Sequence, residues 1–270
     1  MINKPFRLPQ RLLTVVALTI TIAISGCQKT PDANEAQTDT GSQNSNKNTS
    51  QTSDTQLSQT TSTTNLAEQQ APLTILALGD SLTEGLGVDN NANYPAQLQT
   101  RLQELGYKDI KVINSGLSGE TSTGLVNRLD WVLQTKPDVT ILTIGANDAI
   151  RGIDVATVEA NIRTAVKRLQ DNDSVVILGG MQIYDNLGSD YVKSFAAIYP
   201  RVAKDLNVTL IPFFLDGVGG DPKLNQADAI HPTKEGYTLI VNNNILPILQ
   251  PELKKINPSN VTNTPTETAQ

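Results

Sequence analysis

From residue 73 onward, apolar residues fall into short continuous runs that alternate with stretches of helical period. Leu73-Thr-Ile-Leu-Ala-Leu78 is an apolar run ended by Gly79, the pattern of a strand buried on both faces. A helical pattern follows from Pro95 to Leu105, with Pro95 suited to a first turn and Gly106 as a stop. Ile110 to Asn114 reads as a second strand, Thr123 to Gln134 as a helix, and Asp138 to Ile144 as a third strand. Val155 to Leu169 is a helix that aligns Val155, Val158, Ile162, Ala165, Val166 and Leu169 on one face. Ser174 to Leu178 is a fourth strand, Tyr191 to Leu206 a helix and Val208 to Ile211 a fifth strand. Pro232 opens a last helix that reaches Leu249. Trp131, at helical spacing from Leu125, Val126 and Leu129, is expected in the core. The βαβα alternation implies an α/β domain with a parallel sheet, right-handed crossovers and helices on both faces. Ligands of such sheets sit beyond the carboxyl ends of the strands.

Composition changes sharply before this domain. Of the 43 residues from Gln28 to Gln70, 29 are Ser, Thr, Asn or Gln and none is aromatic. Such a stretch buries too little apolar area to offset the entropy of ordering it. It reads as a tether with an r.m.s. reach of about 35 Å. Upstream, Lys4, Arg7 and Arg11 precede an apolar stretch from Leu12 to Ile24. That stretch spans roughly 20 Å as a helix, short of a bilayer core of about 30 Å, and reads as an export signal. The following Ile24-Ser25-Gly26-Cys27 resembles the lipobox of bacterial lipoproteins. The resemblance implies cleavage before Cys27 and lipidation of its thiol, which would otherwise stand unpaired in an exported chain. Gln28 after the Cys implies the outer membrane, with the domain facing the periplasm. The expected organisation is a signal peptide over 1–26, a tether over 27–70, one domain over 71–255 and an unstructured tail over 256–270.

The net charge of −6 and the lack of a basic run in the domain argue against a nucleic-acid partner. One Cys and one His, far apart, make a zinc site unexpected, and no metal or other cofactor is implied.

Polar segments gather where the strands end. Gly79-Asp80-Ser81 follows the first strand, Asn114 to Ser122 the second and Gly145-Ala-Asn147-Asp148 the third, and Asp228-Ala-Ile-His231 precedes the last helix. Together they supply a hydroxyl, an amide, a carboxylate and an imidazole, which is what acyl transfer needs. A serine hydroxyl requires a positioned base, and His231 is the only imidazole in the chain. Asp228, three residues before it, can accept its Nδ1–H and leave Nε2 facing the serine. Asn147 can offer a side-chain NH₂ and Gly119 a backbone N–H to an oxyanion. Singly, each has a plainer reading: Asp80 or Ser81 as a helix cap, Gly119 as a turn glycine, Asn147 in an Asx turn and Asp228 as a cap.

In this order, the four blocks resemble the SGNH (GDSL) hydrolase family. The resemblance implies a flavodoxin-like three-layer sandwich with a central five-stranded parallel sheet. It makes Ser81 the nucleophile, Asp228 and His231 the rest of a triad, and Gly119, Asn147 and the Ser81 N–H the oxyanion hole. Within the family, the chain is most similar to the bacterial thioesterase/protease/lysophospholipase and arylesterase branch. Supporting segments are Asn114 to Ser122, Met181 to Tyr184, Ser194 to Pro200 and Ile211 to Val218. The chain departs from that branch at Tyr184 to Asp190, less basic here and expected to border the acyl pocket, and in its lipobox and tether. The implied activity is hydrolysis of aryl esters, acyl thioesters and lysophospholipids, with the membrane as partner through Cys27. The alternatives are an O-deacetylase of envelope glycans and a non-catalytic binding module.

Overall fold

The structure, a computed structural model, describes residues 72–184 and 188–256. The expected signal peptide, Cys27, the tether and the tail beyond Ile256 lie outside the described residues. Five strands form one parallel sheet: β1 (Leu73–Gly79), β2 (Ile110–Gly116), β3 (Val139–Thr143), β4 (Val175–Gly179) and β5 (Thr209–Ile211). Their order is β2-β1-β3-β4-β5. The chain leaves β1 toward one edge and returns on its other side, so a crevice opens beyond the carboxyl ends of β1 and β3, where such sheets bind ligands.

β3 is buried along its whole length and β1 at all but Thr74, as their continuous apolar runs require. β2 lies at an edge and is half-exposed. Its outward groups are engaged by a side chain of α2 (Tyr94–Glu104). Val112 N–H donates to Gln99 Oε1 at 2.7 Å, and Gln99 Nε2 donates to Ile110 O at 3.0 Å.

Helices form two groups, one on each face of the sheet. α2 packs with α8 (Lys234–Leu239), while α3 (Ser122–Val132) and α7 (Ile198–Asp205) each pack on α5 (Val155–Gln170). Polar side chains cap α2, α3 and α5. Asn93 accepts from Ala96 N–H, Thr121 from Gly124 N–H, and Asp154 from Ala156 and Thr157 N–H. α5 buries Val158, Ile162, Ala165, Val166 and Leu169, with Val155 partly covered.

Three expectations need correction. Trp131 is 67% exposed. α3 buries Leu125, Leu129 and Val132, one helical stripe, and Trp131 stands about 200° around the axis from Leu129. The helix expected over Tyr191 to Leu206 is two, α6 (Ser189–Ala196) and α7, because Pro200 has no N–H to return to Ala196 O. The last helix starts at Lys234, capped by Thr233, passes through a π turn (Ile240–Ile245) and continues as α9 (Leu246–Ile256). Two short helices with no counterpart in the sequence pattern, α1 (Ser81–Glu84) and α4 (Ala146–Ile150), carry the Ser81 and Asn147 blocks.

Candidate active site

Ser81 opens α1 directly beyond β1. Asp80 caps this helix, its Oδ1 accepting from Leu82 N–H at 3.1 Å, and Gly85 ends it in the left-handed region. The turn is tight because Gly79 has no side chain. A Cβ there would stand 2.2 Å from Thr143 O and 2.4 Å from Thr83 Oγ1. Thr83 Oγ1 instead meets Thr143 Oγ1 at 2.7 Å, and the Tyr237 hydroxyl donates to Leu82 O at 3.0 Å. Ser81 is thus held at a helix start, where backbone N–H groups have no intrahelical partner.

The imidazole reaches this serine from the loop before α8. His231 Nε2 lies 2.9 Å from Ser81 Oγ, and His231 Nδ1 lies 2.6 Å from Asp228 Oδ2. Asp228 Oδ1 also accepts from the backbone N–H of Ile230 and of His231, at 2.9 and 3.0 Å. These three hydrogen bonds, first the backbone and side-chain bonds of His231, hold the Asp228 carboxyl down at about 2. An ionised carboxylate only accepts, so Nδ1 carries the proton and Nε2 accepts from the serine hydroxyl.

The same loop is fastened at several further points. Ala229 sits at φ +59°, a left-handed conformation that costs a side-chain-bearing residue about 1–3 kcal/mol. The Tyr184 hydroxyl donates to its carbonyl at 3.0 Å. Gln226 N–H donates to His231 O at 2.8 Å, and Gln226 Nε2 to Leu86 O at 2.8 Å, which ties the histidine loop to the end of the serine turn.

The two oxyanion candidates lie on segments locked to this centre. In the loop bearing Gly119, Leu117 N–H donates to Gly79 O at 3.0 Å and Ser118 N–H to Glu84 Oε2 at 2.8 Å. Gly119 itself takes φ +76°, where its lack of Cβ is needed. Its neighbour Glu120 is buried and paired through both oxygens with Arg128, which also donates to Ser115 Oγ at 2.7 Å and Ser115 O at 2.8 Å. Asn147 stands in α4, its Nδ2 3.5 Å from Asp80 Oδ2. Asp148 beside it accepts from Ser122 N–H at 2.7 Å and Ser122 Oγ at 2.6 Å, joining the two oxyanion segments.

Ser81, His231 and Asp228 therefore meet in one hydrogen-bonded line, Asn147 reaches the same centre through Asp80, and Gly119 through its loop. The Arg128–Glu120 pair, the Ser122 partner of Asp148 and the role of Gln226 are not evident from the sequence. These are ordinary polar residues whose partners are fixed only by the fold. Among the described residues, no three His, Cys, Asp or Glu side chains gather to hold a metal ion.

Burial pushes the Asp80 carboxyl up to about 7, against the lowering pull of the Leu82 N–H. The folded state then binds this proton more tightly than the unfolded one. The stabilisation is complete below the ordinary value of 3.8 and is lost as pH rises through about 7. Asp80→Asn keeps a capping oxygen and removes the titration. Its melting temperature is expected to exceed that of the parent at pH 8 by about 2–4 °C, the shift of roughly 1 kcal/mol in a domain of this size. Scans at pH 5 and pH 8 check it, and a parent that is not less stable at pH 8 relative to the variant contradicts it.

Sheet order, crevice and the polar groups around Ser81 define an ester hydrolase. Residues 77–239 match the model of the GDSL-like lipase/acylhydrolase family, and the chain belongs to that family. It is similar to esterase TesA of Pseudomonas aeruginosa, 36% identical over 189 residues covering 70% of this chain and 93% of that protein. It is also similar to thioesterase 1/protease 1/lysophospholipase L1 of Escherichia coli, 32% identical over 170 residues that cover 63% and 80% of the two chains. The crystal structure of the psychrotrophic esterase EstA from Pseudoalteromonas sp. superposes with a TM-score of 0.63. That match has 32% identity and covers 67% of this chain and 98% of that one.

Proposed function

We propose that this carboxylic ester hydrolase works through a Ser81-His231-Asp228 triad and an acyl-enzyme, on single-chain acyl esters and thioesters that include lysophospholipids. The observation that carries the reading is the continuous relay from Ser81 Oγ through His231 to Asp228, at 2.9 and 2.6 Å. Ser81 Oγ attacks the acyl carbonyl as its proton passes to His231 Nε2. The Ser81 and Gly119 N–H groups and Asn147 Nδ2 receive the developing oxyanion, one such donor being worth about 3–4 kcal/mol of barrier. The imidazolium, facing ionised Asp228, returns its proton to the departing alcohol or thiol. Water, deprotonated by the same nitrogen, then releases the acid from Ser81.

The test is kcat/KM on p-nitrophenyl esters from acetate to palmitate, with Ser81→Ala as background. A Ser81-dependent rate that climbs with chain length supports an acyl-chain esterase. A rate confined to acetate would instead point to a deacetylase, and none at all to a binding module. Membrane placement is part of the proposal: Cys27 as a lipidated N-terminus, outer-membrane anchoring, and residues 27–70 as the tether, from the lipobox-like Ile24-Ser-Gly-Cys27. Cys27→Ala is expected to move the protein out of the membrane fraction, and retention there would refute the anchor.

A further inference from the structure

Six arginines lie among the described residues, and five hold carboxylates. Arg101 pairs with Glu104, Arg128 with Glu120, Arg163 with Glu159 and Asp205, Arg168 with Asp130, and Arg201 with Glu159. Arg151 alone among them has no carboxylate partner in the described residues. It is exposed and follows α4 directly, so it rides on the segment that carries Asn147. Its guanidinium lies over the backbone of the other oxyanion segment. Arg151 Nη2 stands 3.6 Å from where a Cβ on Gly119 would be.

The side chain thus reaches from the segment of Asn147 to the glycine of the other candidate oxyanion loop, rather than out into solvent away from both. The placement leaves an open planar fork of N–H donors beside the atoms that receive the reacting carbonyl. Such a fork matches the oxygens of a phosphate, with two parallel hydrogen bonds available. In a single-chain phospholipid the phosphate sits on the alcohol side of the scissile ester, one glycerol away from the carbonyl. In a chain of net charge −6, a cation with no carboxylate partner among the described residues is also the local attraction that an anionic group would feel.

We propose that Arg151 is a substrate-binding residue that takes the phosphate on the alcohol part of a single-chain phospholipid. The proposal rests on the esterase reading above and adds what that reading leaves open, the group that distinguishes a lysophospholipid from a neutral ester.

The experiment uses the full-length protein on two substrates with the same acyl chain, a lysophosphatidylcholine and a monoacylglycerol, both held below their aggregation concentrations. The measured quantity is the ratio of their kcat/KM values in the parent, Arg151→Gln and Arg151→Lys, with Ser81→Ala as background. Arg151→Gln is expected to lower the ratio of phospholipid to neutral ester by about tenfold, chiefly through KM, the scale of one exposed charge-assisted hydrogen bond. Arg151→Lys keeps the charge but not the fork and is expected to fall between. An unchanged ratio, with Ser81-dependent hydrolysis of monoacylglycerol intact, overturns the assignment and leaves the esterase reading standing. Equal losses on both substrates also overturn it, because the guanidinium would then act on the shared oxyanion. Inorganic phosphate separates a free-ion site from a headgroup site. Competition at micromolar phosphate that Arg151→Gln abolishes would make the free ion the ligand and would sink the substrate role. If no Ser81-dependent hydrolysis of monoacylglycerol occurs, the esterase reading fails first.

Discussion

Ser81→Ala is expected to lower kcat for ester hydrolysis by about 10⁴-fold or more, while the domain stays folded. The hydroxyl supplies the electron pair that attacks the carbonyl, and the nearby donors have nothing to stabilise until that attack occurs. What survives is the contribution of binding and of the oxyanion donors to attack by water. The fold tolerates the change because the helix start is set by Asp80 and the Gly79 turn, neither of which uses the Ser81 hydroxyl. Its hydrogen bond to His231 is worth about 1 kcal/mol to stability. Single-turnover kinetics together with a melting curve check both halves. A variant with parental turnover would remove Ser81 from the mechanism.

The second large effect is expected from Asp228→Asn, a loss of about 10³–10⁴ in kcat with little change in KM. The reason lies in how Asp228 divides its oxygens. One accepts two backbone N–H groups of its own loop, and the other accepts His231 Nδ1–H. In the amide, the oxygen keeps the two backbone bonds and the NH₂ turns toward the ring. Two donors cannot face each other, so Nδ1 gives up its proton and Nε2 carries it, pointing at Ser81 as a donor. The loop shape is preserved and the base is lost. The chain has one histidine, so its imidazole nitrogen resonances report this tautomer without overlap. A variant that retains the Nδ1–H form and parental kcat would contradict the assigned role of Asp228.

Much of this centre is legible in the sequence. Short apolar runs ended by glycine located the strands, since a strand buried on both faces has no alternation to read. His231 was singled out by arithmetic, because a chain with one imidazole offers one base of that type. The helix of Tyr191 to Leu206 was misread because Pro200 breaks the hydrogen-bond ladder without breaking the apolar pattern. Trp131 was misread because proximity in sequence to Leu129 ignores the angle between them. Arg128, Glu120 and Gln226 gave no local signal at all. Arg128 and Glu120 are only eight residues apart, but meet across a loop and the α3 helix where no periodic pattern pairs them, and Gln226 reaches Leu86 140 residues away.

The Gln99 amide on β2 has a consequence for how copies of this domain meet. The rim of an open sheet is where another chain adds a strand, the route by which β proteins join into larger assemblies. At this rim, Val112 N–H and Ile110 O already hold the side-chain amide. It offers one acceptor and one donor in the order a neighbouring peptide group would. An incoming strand must displace this built-in mimic before it can pair at Ile110 and Val112. At those two residues the rim is already paired, which works against the strand addition that turns chance encounters between copies into polymer.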